Sequence, residues 1–288
     1  MDKSKKYWVI FACLAIWGAW EWRADFLGNT ISYALPYHPE WEVTPSVDEG
    51  WLKEFLSNKF YWLDQGHQVH VFTPGENFPY VLKVFKFRRL KPAFGEESFS
   101  SLPIFSSYYQ QLQKQRTIRF DKLFNGYLLA YTRDQEYTGI HYIHLNHTAL
   151  PFKQEMTLVD RFGIEHQVCC EDLSFAIQKI GKKTETVLKE LLDRGDLATA
   201  KRRIRQIFEM YQAEYKLGIL DRDHNIMKNT GFADEKPIRL DIGQLRTAPD
   251  AKTFHAVLQR IADKRIYGWL KRRYPEAAEE LAGELKRQ

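Results

Sequence analysis

The segment 218–243 contains a dense group of side chains whose types and spacing could perform chemistry. Three carboxylates and two amides lie within it, namely Asp221, Asp223, Asp241, Asn225 and Asn229. Oxygen ligands of this kind suit a hard cation such as Mg²⁺, which commonly keeps water and phosphate oxygens as its other ligands. The segment therefore predicts a site for Mg²⁺ or for phosphate groups, and three kinds of site share parts of its pattern.

A calcium-binding loop shares the first part of the pattern. Asp221, Asp223 and Asn225 would occupy its positions one, three and five. Such a loop also needs a glycine at position six and a bidentate acid at position twelve. Ile226 and Phe232 stand there instead, so the spacing argues against a calcium loop.

A haloacid-type phosphatase would place its nucleophile in an Asp-x-Asp motif after an apolar strand. The apolar stretch before Asp221 is short, Ile219-Leu220, and it follows a helical pattern. Asn225 stands where that family has Thr or Val, and no doubly wound unit remains downstream. This interpretation therefore fits the segment poorly.

A kinase-type centre fits more of the segment. Protein kinases place a base Asp in a loop, a metal-binding Asn five residues later, and a second metal-binding Asp before Gly on the next strand. Here Asp223 precedes Asn229 by six residues, and Asn229 precedes Asp241 by twelve. Leu240–Gly243 is similar to the D-F-G segment, with Ile in place of Phe.

Two upstream motifs occur in the same order as in kinases. Lys83, in Val81-Leu82-Lys83, is similar to the third-strand lysine, and Gln65–Val69 is similar to a reduced Gly-rich loop. Ser174–Gly181 would be the hinge between two lobes. Over roughly residues 58–245 the chain therefore resembles the protein-kinase-like superfamily.

This resemblance implies ATP as the nucleotide and a phosphate-binding role for four residues. Lys83 would contact the α- and β-phosphates, and backbone N–H groups around Gly66, His67 and Gln68 would cover them.

The same resemblance implies a metal site and a base. Asn229 and Asp241 would hold Mg²⁺, and Asp223 would orient or deprotonate the attacking hydroxyl of an unknown protein or small-molecule acceptor. Asp221 is the rival base, because the spacing to Asn229 differs from the usual one.

Several departures leave a second interpretation open. The Gly-rich loop has one glycine, Gly66, and no His-Arg precedes the candidate base. The helix predicted over 105–133 has Asp121 as its one acid, so a glutamate partner for Lys83 is missing. No Ala-Pro-Glu follows Gly243. A catalytically inactive pseudokinase, a scaffold or a membrane-anchored interaction module is therefore the alternative.

Two tracts carry a narrower resemblance. The tract 144–148 reads His-Leu-Asn-His-Thr, and 218–231 reads Gly-Ile-x-Asp-x-Asp-x5-Asn-x-Gly. Both are similar to a membrane-anchored, kinase-like family of chlamydia-type bacteria. This resemblance implies the same fold over nearly the whole chain and assigns no substrate.

The N-terminus is typical of a signal sequence or an uncleaved membrane anchor. Three lysines precede the uncharged, mostly apolar stretch 7–20, and tryptophans extend it to residue 22. We expect residues 7–22 to enter the membrane. Lysines before the span predict a cytoplasmic N-terminus and a body on the non-cytoplasmic side, where a periplasm would lack ATP.

Composition and charge argue against a disordered chain and against a nucleic-acid-binding protein. Of 288 residues, 44% are hydrophobic and 27% charged, which predicts a folded chain rather than a disordered one. Lys and Arg number 42 against 37 acids, a net charge of +5. A nucleic-acid-binding protein usually carries a stronger and clustered excess, so we expect no nucleic-acid partner. The three cysteines imply no disulfide framework.

Alternation over 69–72 and the mostly apolar run 80–86 predict two strands. Asp196 predicts the start of a later helix, whose apolar face includes Ile204, Ile207 and Phe208. Strands therefore come first and helices later, which predicts an α+β protein. We expect a β-rich N-terminal lobe and a truncated helical C-terminal lobe behind the anchor. The predicted divisions are an anchor over 1–24, a linker with a short helix over 25–57, an N-lobe with an inserted helix over 58–180, and a C-lobe with the catalytic-like loop over 181–288.

Overall fold

The computed structural model describes residues 7–8, 10–15, 35–87, 90, 103–150, 152–223, 225–247 and 251–285. Its helices are α1 (Glu49–Leu56), α2 (Pro103–Arg133), α3 (Gln135–Thr138), α4 (Thr184–Asp193), α5 (Leu197–Lys216), α6 (Ile226–Asn229), α7 (Ala251–Arg260), α8 (Gly268–Arg273) and α9 (Pro275–Leu285). A π-helical segment, Ile261–Tyr267, joins α7 to α8, and short 3-10 helices span Pro39–Trp41 and Cys170–Asp172.

The strands are β1 (Lys59–Gln65), β2 (Val69–Thr73), β3 (Tyr80–Phe85), β4 (Ile140–His144), β5 (Glu155–Val159), β6 (Glu165–Cys169), β7 (Phe175–Lys179), β8 (Lys182–Lys183), β9 (Ile219–Asp221), β10 (Thr230–Ala233), β11 (Lys236–Arg239) and β12 (Leu245–Thr247). Seven of them form one sheet in the order β4-β7-β3-β2-β1-β5-β6. The β1–β5 pair is parallel and the other pairs are antiparallel. A three-stranded sheet (β11-β10-β8) and a two-stranded ribbon (β12-β9) follow.

Strand β3 is an interior strand of the large sheet, between β7 and β2, and its sequence explains why. It is made of aromatic, aliphatic and β-branched residues apart from Lys83, and such residues favour a pleated surface that is covered on both faces. Its register pairs Val71 with Lys83 on one side and Lys83 with Ala176 on the other. The lysine is therefore held in the interior of the sheet rather than at an edge.

The two faces of the large sheet are covered by different elements. Helix α1 packs Leu52, Phe55 and Leu56 against one face. Helix α2 covers the other face through an aromatic core that includes Phe85, Phe124 and Tyr127, together with Ile219, Ile242 and Leu245 from beyond residue 218. This aromatic core therefore joins the sheet, the long helix and the segment that carries the candidate site.

A separate core supports the C-terminal half of the chain. Helix α5 begins after Asp196, whose carboxylate accepts a hydrogen bond from Thr199 N at 3.1 Å. Its buried face includes Ile204, Ile207 and Phe208, which pack with side chains of α4, α7 and α8. The 3.6-residue apolar period predicted this face, and burial of such a face is what stabilises a helix of this length.

The α+β class is confirmed, and the inserted helix predicted over 105–133 is present as α2. Most of the predicted anchor lies outside the described residues; of residues 1–24 only 7–8 and 10–15 are described, and they are helical. Among the helices that the structure describes, none has the length and apolarity that a bilayer crossing requires.

The stretch 35–48, within the predicted linker, is packed onto the body of the protein. Trp41 is buried, and its ring contacts the rings of Phe124 and Phe120 at centroid distances of 4.8 and 6.5 Å. Asn146 donates from Nδ2 to the His38 carbonyl at 2.9 Å and accepts from His38 N at 3.1 Å. The stretch therefore fixes the position of α2, which in turn contacts the candidate site.

Candidate functional site

Lys83 points from β3 to the segment that precedes Asp241. Its Nζ donates a hydrogen bond to the carbonyl of Leu240 at 2.5 Å, and the residue is only 7% exposed. Burial lowers the pKa of Lys83 to about 8, while the nearby Asp241 carboxylate acts in the opposite direction. The structure thus brings Lys83 and Asp241, which are far apart in sequence, to one place.

Asn229 and Asp241 are joined through the backbone. The Asn229 carbonyl accepts hydrogen bonds from the N–H groups of Leu240, at 2.7 Å, and Asp241, at 3.2 Å. The Asp241 side chain is exposed, and its Oδ1 accepts from Gly243 N at 3.1 Å. A residue with an amide side chain and a residue with an exposed carboxylate therefore lie on adjoining backbone segments.

Asp223 lies in a turn stabilised by successive carboxylates. Its N–H donates to Asp221 Oδ1 at 2.8 Å, and its own Oδ1 accepts from Asn225 N at 3.1 Å. Asp223 is half-exposed. The Arg222 N–H donates to the Gln244 carbonyl at 3.2 Å, which holds this turn beside the chain that follows Asp241.

Asp221 is part of a buried ionic network rather than of the open surface. It is 1% exposed, and its Oδ2 accepts from Arg239 Nη1 at 2.8 Å. Arg239 is fully buried and also donates to both carboxylate oxygens of Glu214 at 2.5 Å. Its guanidinium lies over the Tyr211 ring, 4.2 Å from the centroid. These contacts occupy both Asp221 oxygens and leave Asp223 as the accessible carboxylate of the turn.

The predicted phosphate loop lies at the β1–β2 turn. The Gly66 N–H donates to the Val69 carbonyl at 3.0 Å, and Lys86 Nζ donates to the Gly66 carbonyl at 3.0 Å. His67 is exposed at the tip of the turn. Gln68 reaches the other motifs: a Cβ built on Gly243 would lie 3.2 Å from Gln68 Oε1. Of these loop residues, Gln68 is the one whose side chain approaches the Asp241 segment.

Helix α2 contacts the Asp241–Gly243 segment at very short range. A Cβ on Gly126 would lie 2.8 Å from the Ile242 carbonyl oxygen, a distance that real side chains do not adopt. Tyr127 is buried beside it, with its ring 4.7 Å from that of Phe85. Burial, together with the charge of Asp241, raises the pKa of Tyr127 well above its usual value. In the described part of the chain, a tyrosine and no carboxylate stands where α2 faces the site.

The oxygen atoms of Asn229 and Asp241 suit a hard cation, but these two residues alone do not complete its coordination. No group of three or more His, Cys, Asp or Glu side chains with metal-binding geometry occurs in the described ranges. Asp241 and Asn229 would supply two oxygen ligands. Mg²⁺ is commonly held by one or two protein oxygens with water and phosphate completing its octahedron, so this pair fits a phosphate-bound Mg²⁺.

Arg239, Glu214 and Gly126 were not among the predicted site residues. Glu214 had a signal in the sequence, because it lies three residues after Tyr211 on the apolar face of α5, where an unpaired acid would be costly. Arg239 lies between the apolar residues Ile238 and Leu240, which indicates that it is buried. A buried acid such as Glu214 requires a buried cation as its partner. Gly126, in a helix interior, carried no signal of its contact.

Asp134, whose pKa responds to burial and to the charge of Glu214 in the buried ionic network, makes the free energy of unfolding depend on pH. This residue is buried, accepts from Tyr137 N at 3.1 Å, and leaves Oδ2 without a hydrogen-bond partner. Burial, reinforced by the Glu214 charge, raises the pKa of Asp134 to about 7. The folded state therefore binds a proton that the unfolded state releases near pH 4, and stability falls as pH rises between these values.

We therefore expect the free energy of unfolding to fall by roughly 2 kcal/mol from Asp134 alone between pH 5 and pH 8. Asp134→Asn keeps the helix-capping acceptor and removes the titration. Urea denaturation of both proteins at the two pH values measures the difference. An identical pH dependence in the wild type and the variant would show that Asp134 does not titrate in this way.

Comparisons with known proteins give a distant structural likeness. No protein-family model matches the chain, and no curated protein matches it. Among solved structures, the chain is similar to the 2.2 Å crystal structure of WbdD, with a TM-score of 0.39 and 14% sequence identity. The match covers 78% of this chain and 44% of the WbdD chain, so this chain spans less than half the length of that protein.

Proposed function

We propose that this protein is a Mg²⁺-dependent, kinase-like nucleotide-binding protein that transfers a phosphoryl group to an acceptor. The observation that carries the proposal is the hydrogen bond from Lys83 to Leu240, beside Asp241. It brings together two motifs that the sequence separates and that a phosphotransfer site needs in one cleft.

The phosphate-binding part of the proposal rests on Lys83 and on the β1–β2 turn. A buried ammonium with no carboxylate partner among the described residues is a strong site for an anion, because the anion replaces lost hydration. The phosphates of ATP would take the place of the Leu240 carbonyl as its partner. The side chain of Gln68 lies close to Gly243 and would border the phosphate position.

The metal-binding part rests on Asn229 and Asp241. These residues would hold Mg²⁺, which would neutralise charge on the nucleotide phosphates when bound. The backbone hydrogen bond between them fixes their spacing before any ligand arrives. Pre-organisation of this kind lowers the cost of binding.

Asp223 is the proposed base and orienting group for the acceptor hydroxyl. It is half-exposed, and its backbone is fixed by Asp221 on one side and by the Arg222–Gln244 hydrogen bond on the other. Asp221 takes a positioning role, because Arg239 binds its second oxygen. A fixed and accessible carboxylate is what proton transfer from a bound hydroxyl needs.

We extend the proposal to the architecture and to the membrane. The large sheet with α2 would be the N-terminal lobe, and the helices from α4 onward would be a truncated C-terminal lobe. The predicted hinge Ser174–Gly181 was wrong over most of its length, because Phe175–Lys179 forms β7 between β3 and β4. Only 180–181 would act as the hinge. Residues 7–22 would attach the protein to a membrane. The lysines before them favour a body on the non-cytoplasmic side. Phosphoryl transfer would then require a nucleotide-containing compartment on that side, or the opposite topology.

A second candidate function is a pseudokinase or an interaction module on a membrane. The Gly66 N–H group is already engaged by Val69, and α2 offers no carboxylate to Lys83 within the described chain. A reporter fused to the C-terminus would distinguish the two candidates. A body located outside the cytoplasm, away from ATP, would favour the interaction module.

Thermal unfolding with and without nucleotide tests the proposed function. At about 100-fold excess of ATP over its dissociation constant, binding would stabilise the wild type by about 2.7 kcal/mol and raise the melting temperature by about 5 °C or more. We expect this shift to need Mg²⁺ and to vanish in Lys83→Ala and in Asp241→Ala. Absence of any nucleotide-induced shift in the wild type would contradict the proposal.

A further inference from the structure

Four basic side chains lie next to the candidate site without a carboxylate partner. We call them the basic strip: Arg119, Lys122, Arg222 and Arg246. No ion pair joins any of them to an acid among the described residues. What distinguishes these four residues is their position beside the segment that carries Asp223 and Asp241.

Backbone geometry places two members of the strip together on the β9–β12 ribbon. Arg246 pairs with Leu220, and the Arg222 N–H donates to the Gln244 carbonyl at 3.2 Å. Positions two apart on paired strands share one face, and their side chains lie within reach of each other. Burial lowers the pKa of Arg246, and the nearby positive charge of Arg222 lowers it further, while the Asp221 carboxylate acts in the opposite direction without an ion pair to Arg246.

A hydrogen bond connects this ribbon to the other two members on α2. Arg246 Nη1 donates to the Lys122 carbonyl at 3.0 Å and to the Gly243 carbonyl at 3.3 Å. Arg119 lies three residues before Lys122 and therefore on the same side of the helix. The acid between them, Asp121, lies beside His38 and Glu40 of the N-terminal stretch, so it does not neutralise the strip.

We propose that the basic strip binds a phosphate group carried by the acceptor. Guanidinium groups match phosphate oxygens in geometry, and a cluster of cations gains most from a multiply charged anion. Arg222 directly precedes Asp223 in the chain, and Arg246 touches Gly243. An anion on the strip would thus stand next to the proposed base. The role of the bound group rests on the proposed function, whereas binding itself does not.

Binding of inorganic phosphate to the full-length chain, followed by ³¹P line broadening without nucleotide, tests the strip. The triple variant Arg119→Gln/Lys122→Gln/Arg222→Gln removes three exposed charges and leaves the structural Arg246 in place. We expect its affinity to fall at least tenfold. The control Arg202→Gln/Lys271→Gln removes two exposed charges elsewhere, and the addition of Arg272→Gln makes it equal to the triple variant in charge. Both controls should bind like the wild type.

Vesicles that contain phosphatidic acid form the second arm of the experiment. Strip-dependent binding to these vesicles but not to inorganic phosphate would assign the phosphate to a lipid headgroup, and the reverse would assign it to a soluble acceptor. Equal binding by the wild type and the triple variant in both arms would overturn the inference, as would an equal loss in the control. The phosphate and vesicle arms use no nucleotide, so failure of nucleotide binding would leave this result readable.

Discussion

Replacement of Arg239 by methionine is expected to lower the free energy of unfolding by about 3–5 kcal/mol. Arg239 is fully buried and is the cation that pairs with both Glu214 and Asp221. Removing it leaves two carboxylates in the interior without a positive partner, and each must then be protonated or solvated at a cost. Urea or thermal denaturation measures the loss.

Two further variants make this prediction specific. Arg202→Met removes an exposed arginine on α5 and should change stability by no more than about 0.5 kcal/mol. Adding Glu214→Gln and Asp221→Asn to Arg239→Met should recover part of the loss, because neutral amides no longer need a buried cation. An Arg239→Met protein as stable as the wild type would show that the network does not support the fold.

Replacement of Gly126 by alanine is expected to destabilise the protein by about 1–3 kcal/mol. In an ordinary helix interior the same change would stabilise by roughly 0.5–1 kcal/mol. The sign reverses here because the new methyl group would lie 2.8 Å from the Ile242 carbonyl oxygen and 3.4 Å from the Gly243 carbonyl carbon. Ile242 is itself buried in the aromatic core and cannot yield freely.

The same substitution should weaken nucleotide binding, since it displaces the segment that begins at Asp241. Gly268→Ala is the matched control, because its methyl group would lie 3.6 Å from the flexible end of Arg272. We expect that variant to be at least as stable as the wild type. A Gly126→Ala protein with raised stability would contradict the close approach of α2 to the site.

The elements of the fold could be predicted from local patterns in the sequence. Alternation over 69–72 and the mostly apolar run 80–86 indicated β2 and β3, and Asp196 marked the start of α5. These signals are local, since each depends on residues within one turn or one strand. The short pairs β9–β12 and β8–β10 were missed, because two or three residues carry no period of their own.

The residue types of the candidate site could be predicted from the sequence, whereas the roles of these residues could be predicted only in part. The order of Lys83, Asp223, Asn229 and Asp241 was readable, and the structure places Lys83 against Leu240. The burial of Asp221 was not readable, because it depends on Arg239, which is 18 residues away on another strand. Long-range ion pairs of this kind are determined by tertiary packing, so their partners show no characteristic spacing in the sequence.

Calorimetric titration of ATP into the full-length protein, with and without Mg²⁺, tests most directly whether Lys83, Asn229 and Asp241 form a nucleotide site. We predict saturable binding that requires Mg²⁺, that is lost in Lys83→Ala and Asp241→Ala, and that persists in the Arg202→Gln/Lys271→Gln control. Absence of binding in the wild type, or equal binding in the wild type and Asp241→Ala, would contradict a kinase-like centre in this protein.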